Sequence, residues 1–283
     1  MISLRNYIES EIFEDTNMYE DDTYIVEGVV YDADNKIVKL TDTNKGVDFD
    51  NSYEEEYNGM KVISIFRRNN KEEDNNIILN KEEDGNPFIY ALKQKNGWKF
   101  EISNEEIIKY MRKFIERCNE LSSKKFDTII SLPSSSIVNK RFMDVIYNNV
   151  NATYKTDEVL DKLSKDEAQE NIDNDAIKKD YPNPNERKNV YKRIRADFNR
   201  MLGEDFEAKK IKKSYLKYIK YIIINREKRV EDISEHINNK DVLILDDIFS
   251  SGETVSQGVK NIEQTFCPNS VTVITLLSRK LSE

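Results

Sequence analysis

The chain of 283 residues carries a formal net charge of −9, which argues against general binding to nucleic acid, and its length allows one α/β domain with an additional module. Two cysteines and one histidine are too few for a cysteine-based metal cluster and fit a reducing cytoplasm. The sequence shows neither an apolar span of about 20 residues nor a charged-then-apolar amino terminus, so we expect a cytoplasmic protein without membrane segments.

Residues 1–86 are predicted to form an acidic, β-rich module. Residues 24–31, 36–40 and 60–66 have the composition of strands, and stretches rich in Asn, Asp and Gly separate them. Runs such as Glu54-Glu55-Glu56 give the module its negative charge. No motif in this part indicates a function.

Residues 87–283 form the second predicted domain. It begins with a predicted hairpin over residues 87–102, in which two strand-like segments flank Asn96-Gly97, a dipeptide suited to the positive φ angles of a tight turn. Ser103 and Glu106 then form a capping box at the start of a helix. The apolar residues of that helix recur at helical spacing and predict one buried face: Ile107, Ile108, Met111, Phe114, Ile115, Cys118 and Leu121.

A strand over residues 126–132 is predicted next, and it ends at Pro133 before a helix that extends to about residue 150. Ser134, Ser135 and Ser136 lie between these two elements. A serine run at the start of a helix is typical of a helix cap. It can equally offer hydroxyl and N–H groups to an anion, and the residues alone leave both interpretations open.

Residues from about 153 to 216 form a charged helical insertion, with breaks at Pro182 and Pro184. Residues 187–229 are rich in Lys and Arg with interleaved aromatic residues, a composition that also occurs in nucleic-acid interfaces. Amphipathic helices with solvated basic faces explain it more simply, so nucleic-acid binding is not favoured. Residues 221–224 then predict a further core strand, followed by Arg226, a cation that could reach an anion at the sheet edge.

The most informative segment is VLILDDIFSSGETV, residues 242–255. Its apolar half predicts a strand that is buried on both faces of a parallel sheet. Asp246 and Asp247 follow at the carboxyl end of that strand, where open α/β sheets bind ligands. Two adjacent carboxylates repel each other and require a cation or hydroxyl partners. A loop suited to an anion at a helix start completes the segment: Ser250, Ser251, Gly252, Glu253 and Thr254.

This segment resembles the motif with which type I phosphoribosyltransferases bind 5-phosphoribosyl 1-diphosphate (PRPP). An apolar strand, two acidic residues, two apolar residues and a Ser/Thr-rich loop around a glycine are all present. The resemblance implies an α/β fold with the family's parallel sheet flanked by helices, here with a β-rich amino-terminal module and a helical insertion.

The resemblance also implies roles for individual residues. Asp246 and Asp247 would face the ribose hydroxyls, and the loop of Ser250, Ser251, Gly252, Glu253 and Thr254 would hold the 5′-phosphate of PRPP or of a nucleoside monophosphate. Pyrophosphate would lie against Ser134, Ser135 and Ser136, with Arg226 in reach. Mg2+ is the implied cofactor, and Asp246 and Asp247 would act on it indirectly, through the ribose or water.

Two functions remain open at this point. The intact motif favours a phosphoribosyltransferase that moves phosphoribose from PRPP to a nucleobase or another nucleophile. Little chain follows the last predicted strand, residues 271–277, so the hairpin over residues 87–102 would have to form the hood that binds the acceptor. That arrangement and the long basic insertion favour instead a non-catalytic module that binds a nucleotide or nucleic acid in a regulatory or defence assembly. Family members often form homodimers, and no interface signature is recognisable here.

Overall fold

The computed structural model describes residues 28–41, 47–48, 53–68, 86–101, 116, 120, 123–134, 136–249 and 252–279. Its strands are β1 (Gly28–Asp32), β2 (Ile37–Thr41), β3 (Val47–Asp48), β4 (Tyr53–Tyr57), β5 (Met60–Arg68), β6 (Lys99–Phe100), β7 (Thr128–Ser131), β8 (Tyr154–Thr156), β9 (Leu160–Lys162), β10 (Ile222–Ile224), β11 (Asp241–Phe249) and β12 (Ser270–Arg279). Its α-helices are α1 (Asn86–Leu92), α2 (Ile137–Asn149), α3 (Lys165–Glu170), α4 (Asn174–Asp180), α5 (Pro184–Asn199), α6 (Lys213–Leu216), α7 (Val230–Ile237) and α8 (Glu253–Thr265). Ala208–Lys210 form a short 3-10 helix.

A mostly parallel sheet of seven strands occupies the centre of the fold, in the order β3-β5-β12-β11-β7-β8, with β4 paired to β5. Strands β5, β12, β11, β7 and β8 all run in one direction, whereas β3 and β4 are antiparallel to β5. The carboxyl ends of β7, β11, β12 and β5 therefore meet at one edge of the sheet, which we call the carboxyl edge.

Burial on both faces explains the unbroken apolar run of β11. Val242 and Ile244 pack into one hydrophobic cluster, with residues of α5, α7 and α8. Leu243 and Leu245 pack into the opposite cluster, with residues of α1 and α2. Such a strand has no solvent-facing side and needs no polar residue until it ends. The structure confirms the predicted fold class as an α/β protein with a mostly parallel sheet flanked by helices.

Strands of the predicted amino-terminal module belong to this same sheet. β5 pairs with β12, with Val62 opposite Val273 and Ile63 opposite Ile274, so the sheet crosses the boundary predicted at residue 86. β1, β2 and β6 form a separate three-stranded sheet. The predicted strands over residues 36–40 and 60–66 are confirmed, as is the part of 24–31 that lies within the described residues.

The hairpin predicted over residues 87–102 is wrong in its first arm, because Asn86–Leu92 form helix α1. Pro87 lies in the first turn of that helix, where the missing N–H of proline leaves no hydrogen bond unmade. The turn at Asn96-Gly97 is present, with φ angles of 57° and 78°. The second arm, β6, pairs in parallel with β2 instead of with residues 88–93. We call residues 86–100 the hood unit.

The structure corrects the predicted path of the chain after residue 150. Residues 222–224 do form a strand, β10, but it pairs antiparallel with β9 in a separate two-stranded sheet and is not the third core strand that was predicted. The predicted helical insertion begins with strands, since β8 lies at the edge of the central sheet and helices α3 to α6 come later. The helix predicted from Ser103 lies largely outside the described residues, and of that segment Glu116 and Glu120 are helical.

Candidate functional site

The residues that follow β7 and β11 lie side by side at the carboxyl edge. Ser131 pairs with Leu245, and the backbone N–H of Leu132 donates to the carbonyl of Leu245 at 2.9 Å. One residue later, Asp246 pairs with Thr275 of β12 on the other side. The chain leaving β7 therefore starts next to the acidic pair, as the sequence predicts for two loops of one ligand site.

Asp246 and Asp247 form a closely coupled acidic pair. Oδ1 of Asp246 accepts a hydrogen bond from the backbone N–H of Asp247 at 2.9 Å. Asp247 is 5% exposed, and Asp246 is partly buried. Loss of hydration, with the charge of Asp247 beside it, raises the pKa of Asp246 to about 8, and the Asp247 N–H and the Lys93 charge only partly oppose this rise. The pair is therefore poised to accept a cation or to donate and accept hydrogen bonds with hydroxyl groups.

Lys93 of the hood unit supplies the cation at this pair. Its Nζ lies 2.8 Å from Oδ2 of Asp247, and the two side chains are 19% and 8% exposed. Although the atoms are close enough for an ion pair, Oδ2 of Asp247 makes no well-directed hydrogen bond within the described residues. The contact is thus held by charge more than by hydrogen-bond geometry.

The candidate phosphate loop lies partly outside the described residues, which include neither Ser250 nor Ser251. Gly252 precedes the first residue of α8 with a φ of 72°, in the left-handed region that favours glycine. A Cβ at this position would approach Phe249 Cζ to 2.6 Å and Tyr57 Cε1 to 2.7 Å. Both the backbone angle and the close packing therefore require glycine here.

The first turn of α8 is held by the segment that precedes β10. Thr254 Oγ1 and the Tyr221 hydroxyl lie 2.8 Å apart. Gln257 Oε1 accepts from the backbone N–H groups of Tyr221 and Ile222, while its amide donates to Glu253 Oε1 at 3.1 Å. Burial raises the pKa of Tyr221, so its hydroxyl stays protonated and available for hydrogen bonding. Sequence reasoning missed both Tyr221 and Gln257 as supports of this loop.

The serine loop after β7 retains unpaired polar atoms. Ser134 Oγ accepts from the backbone N–H of Ser136 at 3.1 Å, which makes a local turn, and Ser135 lies outside the described residues. Ser136 precedes α2 without making a side-chain cap. Within the described residues, Ser136 Oγ and Asn139 Oδ1 are buried without a hydrogen-bond partner. The cap interpretation is therefore the weaker one for Ser136, because its hydroxyl does not bond the helix start.

The sequence predicts that Arg226 reaches an anion at the sheet edge, but its side chain pairs with Glu167 instead. Its guanidinium donates to Glu167 Oε1 at 2.8 Å in an exposed ion pair at the start of α3. The cation that contacts the acidic pair comes instead from Lys93. The charge of Asp247 also acts on the Lys95 ammonium, together with the charges of Lys209 and Lys93. Lys93 and Lys95, which both precede the Asn96-Gly97 turn, could have been recognised from the sequence.

The aromatic residues of the basic region, residues 187–229, point inward. Phe198, Tyr215, Tyr218 and Tyr221 are between 0% and 4% exposed and belong to the hydrophobic core, with Tyr191 packed against it. Base stacking requires exposed aromatic faces. The amphipathic-helix interpretation of this region is therefore favoured over a nucleic-acid interface.

The described residues contain no cluster of three or more His, Cys, Asp or Glu that could hold a metal ion by protein groups alone. In the same part of the chain, no helix has both the length and the apolar character needed to cross a membrane. Comparisons of this chain with protein-family models, with curated proteins and with solved structures each find no match.

Proposed function

We propose that this protein is a phosphoribosyltransferase, which binds PRPP with Mg2+ and transfers phosphoribose to a nucleobase or another nucleophile. The observation that carries the proposal is the buried pair of Asp246 and Asp247 at the carboxyl edge, followed by the left-handed turn at Gly252 and the start of α8. Ligands of open α/β sheets bind at this edge. The combination supports a site for a sugar with a phosphate group.

Each part of the site has a role in this proposal. Asp246 and Asp247 accept hydrogen bonds from the ribose hydroxyls. Backbone N–H groups of the loop from Ser250 to Thr254 bind the 5′-phosphate, favoured by the partial positive charge at the start of α8. Glu253 accepts a hydrogen bond from the Gln257 amide one turn along α8, and in this proposal its carboxylate does not take part in binding the phosphate.

The donor groups suit Mg2+, which prefers oxygen ligands and retains several waters. The acidic pair offers carboxylate oxygens, and a cation there would offset both causes that raise the pKa of Asp246, which are loss of hydration first and the charge of Asp247 second. A cage of protein ligands is not needed, because substrate phosphates and waters complete the coordination. When bound, Mg2+ supplies positive charge to the pyrophosphate as that group leaves.

The protein contributes positioning and charge to this reaction. The bond between the anomeric carbon and the pyrophosphate oxygen breaks, its electron pair leaves with pyrophosphate, and the acceptor forms the new bond to the same carbon. Holding sugar and acceptor in line lowers the entropic part of the barrier, and the fixed carboxylates stabilise the positive charge that develops on the ribose. A proton on the attacking atom of the acceptor passes to water or to the departing pyrophosphate, so neither Asp246 nor Asp247 has to act as a base.

The Lys93–Asp247 ion pair also supports the second candidate, a non-catalytic module of the same fold that binds a nucleotide. A lysine that occupies Asp247 in the free protein reduces the charge available to Mg2+. Binding of a nucleoside monophosphate without pyrophosphate release from PRPP would favour this module. A gel-shift titration at two salt concentrations tests its nucleic-acid form, for which affinity must fall as salt rises.

The proposed function is tested by following Mg2+-dependent release of pyrophosphate from PRPP in the presence of pooled nucleobases. We expect release above the rate of spontaneous hydrolysis and its loss when Mg2+ is chelated. If PRPP binds but no pool of acceptors gives release, the non-catalytic candidate replaces the enzyme. If PRPP does not bind, the enzyme is wrong, and if nucleoside monophosphates and nucleic acid also fail to bind, both candidates are wrong.

A further inference from the structure

The Lys93–Asp247 ion pair differs from the other ion pairs described in this protein because both of its side chains are largely buried. Its partners come from different parts of the fold, one from the hood unit and one from the end of β11. Within the described residues Oδ2 of Asp247 has no well-directed hydrogen bond, although buried charged pairs are normally locked by several of them. Replacing Lys93 by another cation at this oxygen therefore breaks no directed hydrogen bond in the described part of the chain.

The backbone around Lys93 is fixed by hydrogen bonds within the hood unit and from Lys36. The N–H of Lys93 donates to the carbonyl of Ile89, and that of Lys95 donates to the carbonyl of Tyr90, both at 3.0 Å or less. Lys36 Nζ donates to the carbonyl of Asn96 at 2.7 Å, so the turn is held from a second side. A lysine ammonium on its flexible four-carbon chain can therefore change partners without movement of the turn.

Three further lysines, all solvent-exposed, interact with one another through their charges: Lys95 of the hood unit, Lys162 of β9 and Lys209 of the 3-10 helix. Loss of hydration lowers the pKa of Lys95, and the charges of Lys209 and Lys93 lower it further. Loss of hydration likewise lowers the pKa of Lys162, with Lys209 adding to the effect. Exposed lysines attract anions from solvent, so these charges assist the approach of an anionic ligand.

Carboxylates near these lysines compensate their charge in part. Glu207 Oε2 lies 3.0 Å from Lys209 Nζ, and Asp205 and Glu207 act on Lys162 by charge. The chain that precedes Lys209 is fixed to the start of α3, since Ser164 forms a β-bridge with Asp205 and the N–H of Lys165 donates to Glu204 at 2.7 Å. The backbone ahead of Lys209 is therefore held in place.

We propose that Lys93 exchanges partners when ligand binds, moving from Asp247 in the free protein to the diphosphate group of the ligand. Asp247 is then released to the divalent cation and the sugar hydroxyls. The ligand class rests on the proposed function, because a sugar bearing a diphosphate is what places both anion and hydroxyls at this edge. Lys93 is thus an internal competitor of the divalent cation until a diphosphate removes it.

The exchange predicts changes of opposite sign in one variant, Lys93→Gln. In the protein without ligand, Mn2+ titrated by electron paramagnetic resonance should bind at least about 10-fold more tightly than to wild type, because no ammonium competes for Asp247. Inorganic diphosphate with Mg2+, titrated by calorimetry, should bind at least about 10-fold more weakly, because the cation that receives it is gone. Lys99→Gln is the matched control, since Lys99 is an exposed cation of the same hood unit and should change neither affinity.

The gain in Mn2+ affinity should disappear in Lys93→Gln combined with Asp247→Asn, which shows that the ion binds at Asp247. If the gain persists in that double variant, or if Lys93→Gln weakens both ligands or changes neither, the exchange is wrong. Tighter Mn2+ binding without weaker diphosphate binding also overturns it, because Lys93 would then be only a counter-ion. If wild type binds PRPP but Lys93→Gln does not give the predicted changes, only the exchange is wrong and the proposed function is unaffected. If wild type binds neither PRPP nor diphosphate, the proposed function itself is wrong.

Discussion

The carboxyl edge of the sheet and the basic insertion both bring opposite charges together, but only the edge buries them. The side chains of Lys93 and Asp247 are 19% and 8% exposed, whereas those of Lys217 and Asp180 in the insertion are 55% and 37% exposed. An exposed pair contributes about 0–1 kcal/mol, while removing charges from water is costly even when they are paired. Burying Lys93 and Asp247 therefore costs stability, which is typical of functional sites, whereas the Lys217–Asp180 pair of the insertion stays hydrated.

The largest effect is expected from removing charge at the carboxyl edge. Asp246→Asn combined with Asp247→Asn keeps the side-chain shape but loses two charge-assisted hydrogen bonds, each of about 1.5–3 kcal/mol. PRPP affinity should fall at least about 100-fold, as measured by calorimetry with Mg2+. Circular dichroism should show the variant folded. An unfolded variant would make the pair structural, and unchanged affinity would place the site elsewhere.

Replacing the glycine that starts α8 should have the next largest effect. Gly252→Ala places a Cβ against Phe249 and Tyr57 and forces a non-glycine residue into the left-handed region. We expect a loss of about 1–3 kcal/mol in the free energy of unfolding by urea titration, together with weaker phosphate binding. Gly203→Ala is the matched control, because the nearest atom to its Cβ is 4.0 Å away. Equal losses in the two variants would contradict the close packing described at Gly252.

The buried acidic pair should also make stability depend on pH. In the folded protein Asp246 keeps its proton up to about pH 8, whereas an unfolded aspartate loses it near about pH 3.9. Between these values the folded state binds more protons, so this group makes the free energy of unfolding fall as pH rises. Thermal melts in EDTA from pH 5 to 8 should therefore show a shallower decline for Asp246→Asn than for wild type. One pKa unit corresponds to about 1.4 kcal/mol, or roughly 4 °C. Parallel curves would contradict the raised pKa.

The smallest effect is expected in the insertion. Arg226→Gln breaks an exposed ion pair with Glu167 and should change the free energy of unfolding by less than about 0.5 kcal/mol. It should also leave PRPP affinity within twofold of wild type, at about 0.4 kcal/mol or less. Lys217→Gln, which breaks another exposed pair, is the control for loss of one positive charge. A large loss of affinity in Arg226→Gln alone would restore the role in pyrophosphate binding that the sequence suggested.

The parts of the fold that could be predicted from the sequence are those whose signal is local. β7, β11, β12 and α8 have apolar runs or helical spacing within a few residues, and the acidic pair directly follows the apolar run of β11. The hood unit was misjudged because Phe88 and Tyr90 suggested a strand, although Pro87 in a first turn favours a helix.

Other features depend on contacts between distant parts of the chain. No local pattern indicates that β10 pairs with β9 or that β5 extends the central sheet beside β12. The same holds for the site, where Lys93 and Asp247 are separated by more than half of the chain. Ion pairs of this kind are set by tertiary packing, which composition and periodicity do not encode.

The most direct test of the account is a thermal melt of the wild-type protein with Mg2+ and PRPP. At about a 100-fold excess over its dissociation constant, a ligand that binds only the folded state adds about 2.7 kcal/mol. The melting temperature should then rise by about 5–11 °C, at roughly 2–4 °C per kcal/mol for a domain of this size. No rise with PRPP, ribose 5-phosphate or any nucleoside monophosphate would contradict a phosphosugar site at the carboxyl edge.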